Sequence, residues 1–157
     1  MSRKSGTLPI DQNRNPFGTT LTTKKAVTFD GGTENGIGND GGTQDPYTLF
    51  TVTGTVAVKC FAKCTASLAG DAGTLAVGTA VSPTGLITTT TATDIDVNEI
   101  WHDATPDASI ELSSIATEKI VSADIVLTTA TADVTGGSIE VYCIWYPLSP
   151  DGNITAA

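Results

Sequence analysis

The residues equipped to bind a metal or move a proton gather in one stretch, Asp94-Ile95-Asp96-Val97-Asn98-Glu99-Ile100-Trp101-His102-Asp103, followed by Asp107. Read as a strand, it projects Asp94, Asp96 and Asn98 from one face as hard oxygen donors, a spacing that calcium and magnesium sites use. His102, the one histidine of the chain, adds a group that titrates near neutrality beside the Asp103 carboxylate. The same alternation, with Ile95 and Val97 opposite the acids, is that of a half-exposed strand. One imidazole also falls short of the two or more nitrogen or sulfur ligands that transition-metal sites need. Asp94, Asp96, Asn98 and His102 are therefore weak metal candidates, and the expectation is a solvated strand and turn without metal or cofactor. A metal-dependent enzyme built on these four residues stays as one alternative class.

Other chemistry is poorly supplied. No serine sits in a Gly-x-Ser-x-Gly elbow, and His102 is the only imidazole base on offer. The glycine-rich loops lack the lysine of a phosphate-binding loop. Nine aromatic residues leave few to line a sugar-cleaving cleft once the core has taken its share. Cys60 and Cys64 lie four residues apart on one face of an alternating strand, about 13 Å at strand rise, too far for a disulfide or for one metal. Cys143, in SIEVYCIWY, is expected to face one of them across the core, and all three read as reduced, buried, small apolar groups. The chain reads as a non-enzyme.

The elements that position these residues are strands. Of 157 residues, 39% are apolar, 16% charged and 6% aromatic, and threonine alone accounts for 28. Threonine, valine and isoleucine fit a pleated surface and lose side-chain freedom in a helix, so the expected fold is all-β. Candidate strands are 47–53, 55–66, 74–81, 86–91, 94–101, 109–113, 118–129 (broken near Ser122–Asp124) and 138–146. About eight short strands separated by Gly, Pro and Asp turns point to a β-sandwich of jelly-roll or immunoglobulin-like order, or a barrel. Val56, Val58, Cys60, Ala62 and Cys64 form one inward row, Leu75, Val77 and Val81 a second, and Ile139, Val141, Cys143 and Trp145 a third.

Residues 1–46 differ. They are rich in Gly, Asn, Asp, Thr and Pro, with scattered apolar positions of no period and two copies of Asp-Gly-Gly-Thr at 30–33 and 40–43. Such a stretch cannot build its own core. The expected division is an extended N-terminal arm, 1–46, and a sandwich domain, 47–157. Charge divides too. The net charge is −9, yet residues 1–25 hold five of the eight basic residues (Arg3, Lys4, Arg14, Lys24, Lys25) against Asp11, a local +4 that leaves −13 for residues 26–157. An acidic body repels phosphate backbones, so no nucleic-acid partner is expected. No apolar run reaches the ~18 residues of a membrane span and no signal-peptide core stands at the N-terminus, so no membrane partner is expected and synthesis is read as cytosolic.

Two strands carry apolar residues on the face where a solvated strand would be polar. Tyr142, Ile144 and Tyr146 alternate with the inward row of the last long strand, and Phe61 sits between Lys59 and Lys63. A strand apolar on both faces is covered on both. The cover is expected to be the N-terminal segment or a second copy of the chain.

The runs TGTVAVKCFAKCTASLAGDAGTLAVGTA, TTTTATDIDVNEIWHDATPDASIE and TADVTGGSIEVYCIWYPLSPDGN together resemble the small Thr/Ala/Gly-rich virion proteins of tailed bacteriophages, most of all capsid decoration, or cement, proteins. The resemblance covers residues 47–153 and implies a β-sandwich or jelly-roll subunit, commonly a homotrimer, that docks on the major capsid protein at the head exterior and bridges capsomers. It implies no catalytic residues. On this reading Arg3, Lys4, Arg14, Phe17, Lys24 and Lys25 belong to an arm that binds capsid and neighbouring subunits, and Phe61, Tyr142, Ile144 and Tyr146 form the self-association face. The alternative within the virion is a tail-tip, collar or fibre component whose sandwich binds a receptor or carbohydrate through loops 82–85 and 103–108.

Overall fold

A computed structural model describes residues 20–110 and 117–157. The described residues form eleven strands and one 3-10 turn, with the strands in two antiparallel sheets. The six-stranded sheet has the order β1 (Leu21–Thr28), β10 (Val134–Pro147), β3 (Val56–Gly70), β6 (Glu99–Trp101), β7 (Asp107–Ala108), with β8 (Lys119–Val121) also paired to β3. The five-stranded sheet has the order β11 (Asn153–Ala156), β2 (Tyr47–Thr53), β9 (Ile125–Ala130), β4 (Thr74–Gly78), β5 (Ile87–Thr91). The all-β class expected from the threonine-rich composition is correct, whereas the count of about eight strands is too low.

The spine is the pairing of β3 with β10, in register from Val56↔Pro147 to Cys64↔Ile139. Alternation decides it. Val56, Val58, Cys60, Ala62 and Cys64 on one strand and Ile139, Val141, Cys143 and Trp145 on the other are all buried, and they join Leu49, Phe50, Leu75, Val77, Ile87, Ile125 and Leu127 of the second sheet in one core. Both sheets are therefore apolar on the face they turn toward each other. Val81, expected in the second inward row, is 95% exposed, because β4 ends at Gly78 and residues 79–82 close a tight turn through Thr79–Ser82 backbone hydrogen bonds.

The two indole N–H groups tie the sheets at opposite edges. On β10, Trp145 Nε1 donates to Thr23 Oγ1 of β1 at 2.9 Å, and that hydroxyl donates in turn to the carbonyl of Ile154 on β11 at 3.2 Å. On β6, Trp101 Nε1 donates to Thr90 Oγ1 of β5 at 2.8 Å. A buried indole N–H left unpaired would cost free energy, so each tryptophan fixes the spacing between its neighbours.

The division into an arm ending at 46 and a body starting at 47 is not where the structure divides. β1 pairs with β10 over eight positions, Leu21↔Trp145 to Thr28↔Ser138, and Val27 and Phe29 are 1% and 3% exposed. Residues 29–46 fold back on the start of β10: Gly31 N and Phe29 N donate to the carbonyls of Val134 and Gly137, and Val134 N donates to that of Gly38. Asp45 Oδ1 accepts from the backbone of Thr129 at 2.9 Å. The segment is held by backbone hydrogen bonds and two apolar anchors, which leave no hydrophobic period to read.

Candidate docking face

The outer face of the six-stranded sheet gathers the apolar residues that alternation leaves pointing away from the core. Register sets the rows. Tyr142 lies opposite Lys24 of β1 on one side and Phe61 of β3 on the other, Ile144 lies opposite Thr22 and Lys59, and Tyr146 lies opposite Ala57, which in turn faces Ile120 of β8. Phe61, Tyr142, Ile144 and Tyr146 are half-buried, and Ile120 stands 74% exposed at the margin. The four residues proposed from sequence as one face thus share one face of adjacent strands.

The polar groups on this face are organised around its aromatics. The rings of Phe61 and Tyr142 stack, centroids 5.1 Å apart and planes 8° apart. Lys24 Nζ lies 5.8 Å from the Tyr142 centroid and 2.8 Å from Glu140 Oε1. The Tyr142 hydroxyl donates to Glu140 Oε2 at 2.7 Å, and the Tyr146 hydroxyl donates to Glu118 Oε1 at 2.9 Å. The hydrogen bond from Lys24, then that from Tyr142, holds the Glu140 carboxyl below the usual carboxylate range. The same contacts push the Lys24 ammonium and the Tyr142 phenol up, and the hydrogen bond to Glu118 pushes the Tyr146 phenol up. Lys59 and Lys63 flank Phe61 on the same face. Three of the five described lysines, Lys24, Lys59 and Lys63, therefore point from one sheet face of a chain whose net charge is −9.

Lys25 is on the other side of its strand. Its ammonium lies 5.6 Å from the Tyr47 ring centroid and donates to the Ala157 carbonyl, so it closes the gap between β1 and the second sheet. Lys24 and Lys25, expected on an extended capsid- and subunit-binding arm, are both strand residues of β1. Arg3, Lys4, Arg14 and Phe17 lie outside the described residues.

The acidic stretch does not form the expected strand. Ala92–Asp94 is a 3-10 turn, Asn98 has φ of +71°, and pairing resumes only at Glu99–Trp101. The Asp96 backbone N–H donates to Glu99 Oε2 at 2.7 Å and that of Asn98 to the Cys64 carbonyl at 3.0 Å, so these residues close a turn against β3. Ile95 is buried and Val97 is 49% exposed, the reverse of the single apolar face that alternation implied. His102 is buried, with Nδ1 3.8 Å from Asp103 Oδ1. Among the described residues no group of three His, Cys, Asp or Glu side chains is placed to hold a metal ion.

Cys143 lies beside Cys60 on the neighbouring strand of the same sheet, Sγ to Sγ 3.8 Å, and not across the core. A cleft of about 570 Å³ at the far end of the β3/β10 pair is lined by Asp40, Gly70, Asp71, Ala132, Asp133 and Thr135. Sequence reasoning did not assign Ile120 to the face; its signal, an apolar residue between Lys119 and Val121, was absorbed into one long broken strand. No helix among the described residues is long and apolar enough to cross a membrane. Comparison of the chain with protein-family models, with curated proteins and with solved structures finds no match.

Proposed function

We propose that the chain is a non-enzymatic structural protein of a tailed-bacteriophage virion, a head decoration protein that binds the capsid exterior and bridges capsomers. On this reading it is a jelly-roll-like β-sandwich that works as a homotrimer on the major capsid protein. The observation that supports it most is the outer face of the six-stranded sheet. Half-buried Phe61, Tyr142, Ile144 and Tyr146 are bordered by Lys24, Lys59 and Lys63, with Glu140 held by Lys24 and Glu118 by Tyr146, and so make an apolar centre with a polar rim in which lysines outnumber carboxylates, the arrangement of a protein interface. Six of the eight basic residues of the chain lie on this face or in residues 1–19, which lead into its edge strand at Leu21. An acidic protein surface is the complementary partner, and many copies fixed by capsid symmetry turn a weak single contact into durable binding.

The test is co-sedimentation with purified heads that lack the protein. Wild-type chain is expected to bind at saturating copy numbers in the hundreds per particle, more weakly at high salt because rim charges are screened. Lys59→Glu with Lys63→Glu is expected to weaken binding about tenfold or more, as reversed rim charges do in steered interfaces. Removal of residues 1–19 is expected to reduce capsid affinity while leaving the fold intact. Copy numbers of a handful per virion, or unchanged affinity in both variants, would overturn the reading.

A further inference from the structure

We propose that Cys60 and Cys143 form an oxidative cross-link site, closing to a disulfide across the β3/β10 pair when the chain meets a hydroperoxide. The two residues lie directly opposite each other in the antiparallel register, with Sγ atoms 3.8 Å apart. Opposed residues in such a pair have Cα atoms about 4.5–5.5 Å apart, inside the range a disulfide spans.

The rest of the site favours this pair over other outcomes. Cys60 is 4% exposed and Cys143 fully buried, so glutathione-sized disulfides cannot reach either sulfur while the strands stay paired, whereas a hydroperoxide is small enough to follow a brief opening. Cys64, the third thiol, has no sulfur neighbour. It donates to the Ala66 carbonyl at 3.2 Å, and burial pushes it up to about 11. The hydrogen bond to Cys60 and burial likewise push the Cys143 thiol up, so the Cys143 thiolate is scarce.

The step balances. A thiolate of the pair attacks the peroxide, the O–O bond breaks, and a sulfenic acid forms with loss of water or an alcohol. The neighbouring thiol attacks the sulfenic sulfur, the S–O bond breaks, and a second water leaves. Two thiols lose two electrons and two protons in all, and the peroxide takes them up.

The test uses the full folded chain, treated with hydrogen peroxide and read by intact mass and by mapping of non-reduced peptides. Loss of about 2 Da, the two thiol hydrogens, with a Cys60–Cys143 linked peptide and reversal by dithiothreitol, is the expected result. The linked form is expected to melt several degrees higher, because the bond joins strands far apart in sequence. Cys64→Ser is expected to behave as wild type and Cys60→Ser to form no link. Where Cys60→Ser does not fold, the Cys64→Ser map carries the test. Linkage through Cys64, mass gains of oxygen in place of hydrogen loss, or intact thiols at peroxide levels that oxidise the denatured chain would overturn the proposal.

Discussion

The ring of Phe61 lies parallel to that of Tyr142, 5.1 Å away across the β3/β10 pair, on the face of the sheet turned away from the core. Two aromatic side chains stacked on an outer face keep each other from water and hold a flat apolar centre in place. The pair is expected to couple by about 0.5–1.5 kcal/mol in a double-mutant cycle of Phe61→Ala and Tyr142→Ala read by urea unfolding. Strict additivity of the two single changes would mean that the rings do not stabilise each other. If the face is also the docking surface, both single variants lose capsid binding by more than they lose stability.

Phe29 tests whether the region before residue 47 folds with the body. It is 3% exposed and packs into the shared core just after β1. Phe29→Ala is expected to destabilise the whole domain by about 3–5 kcal/mol, the cost of a large cavity. A variant that unfolds with an unchanged urea midpoint would return this segment to the status of an arm. The same geometry sets the limit of any truncation: removing 1–19 leaves β1 whole, whereas removing 1–28 strips the edge strand from β10.

The parts legible in sequence are those where burial falls on one side of a strand. The alternation of Val56 to Cys64 and of Ile139 to Trp145 placed both long strands and their inner faces, and the break suspected near Ser122–Asp124 is the gap between β8 and β9. β1 was not legible because it is an edge strand whose inner residues Thr23 and Lys25 are polar and reach backbone acceptors at and just past β11, which leaves no apolar alternation to read. β11 carries one buried residue, Ile154, too little for any period. At Asp94–Asn98 the apparent alternation is a coincidence of composition, and a turn with a left-handed residue at Asn98 takes its place. The face itself was readable at Phe61, Tyr142, Ile144 and Tyr146. Its polar order was not, because Lys24 reaches Glu140 only through pairing between residues 116 positions apart.

That pairing has a pH signature. Glu140 is held below its ordinary value of 4.5, so its contribution to stability is present above that pH and is lost as pH falls through the folded value. Lys24 is raised above 10.5, so its contribution is present below that pH and is lost as pH rises through the folded value. Lys24 is exposed and Glu140 partly so, and the effect is small. Glu140→Gln is expected to flatten the acid limb of a urea midpoint against pH profile below about 4.5, with the difference shrinking in salt. An acid limb identical to that of the wild type would show that the ion pair contributes nothing.

Thr90 is the polar residue on which one edge of the molecule closes. It is 3% exposed, accepts from Trp101 Nε1 and donates to the Asp103 carbonyl at 2.9 Å, linking β5 to the strand and turn that carry Trp101 and His102. Thr90→Val keeps the shape and removes the acceptor, leaving a buried indole N–H without it. The expected cost is about 1–3 kcal/mol. Thr88→Val, at an exposed position of the same strand, is expected to stay within about 0.5 kcal/mol of wild type. Equal effects at the two positions would remove the Trp101 hydrogen bond from the account.

Gly137 decides which residues the outer face of the six-stranded sheet shows. The register of β10 against β3 shifts between Gly136 and Ser138 and again between Ser138 and Ile139, and beyond that point Ile139, Val141 and Cys143 point inward while Glu140, Tyr142 and Ile144 point outward. A slip of one residue would exchange the two sets. The irregularity rests on backbone that only glycine adopts freely: φ at Gly137 is +93°, and a Cβ there would lie 2.7 Å from the Leu68 Cα. Gly137→Ala is expected to cost at least about 1–3 kcal/mol. Gly136→Ala is the control, because its Cβ would meet nothing nearer than the Ala69 Cβ at 3.6 Å, an ordinary contact. That variant is expected to be neutral or more stable by about 0.4–1 kcal/mol through a less flexible unfolded chain. A Gly137→Ala chain that folds with wild-type stability would place the register of β10, and with it the outward set of Tyr142 and Ile144, under the control of the core alone.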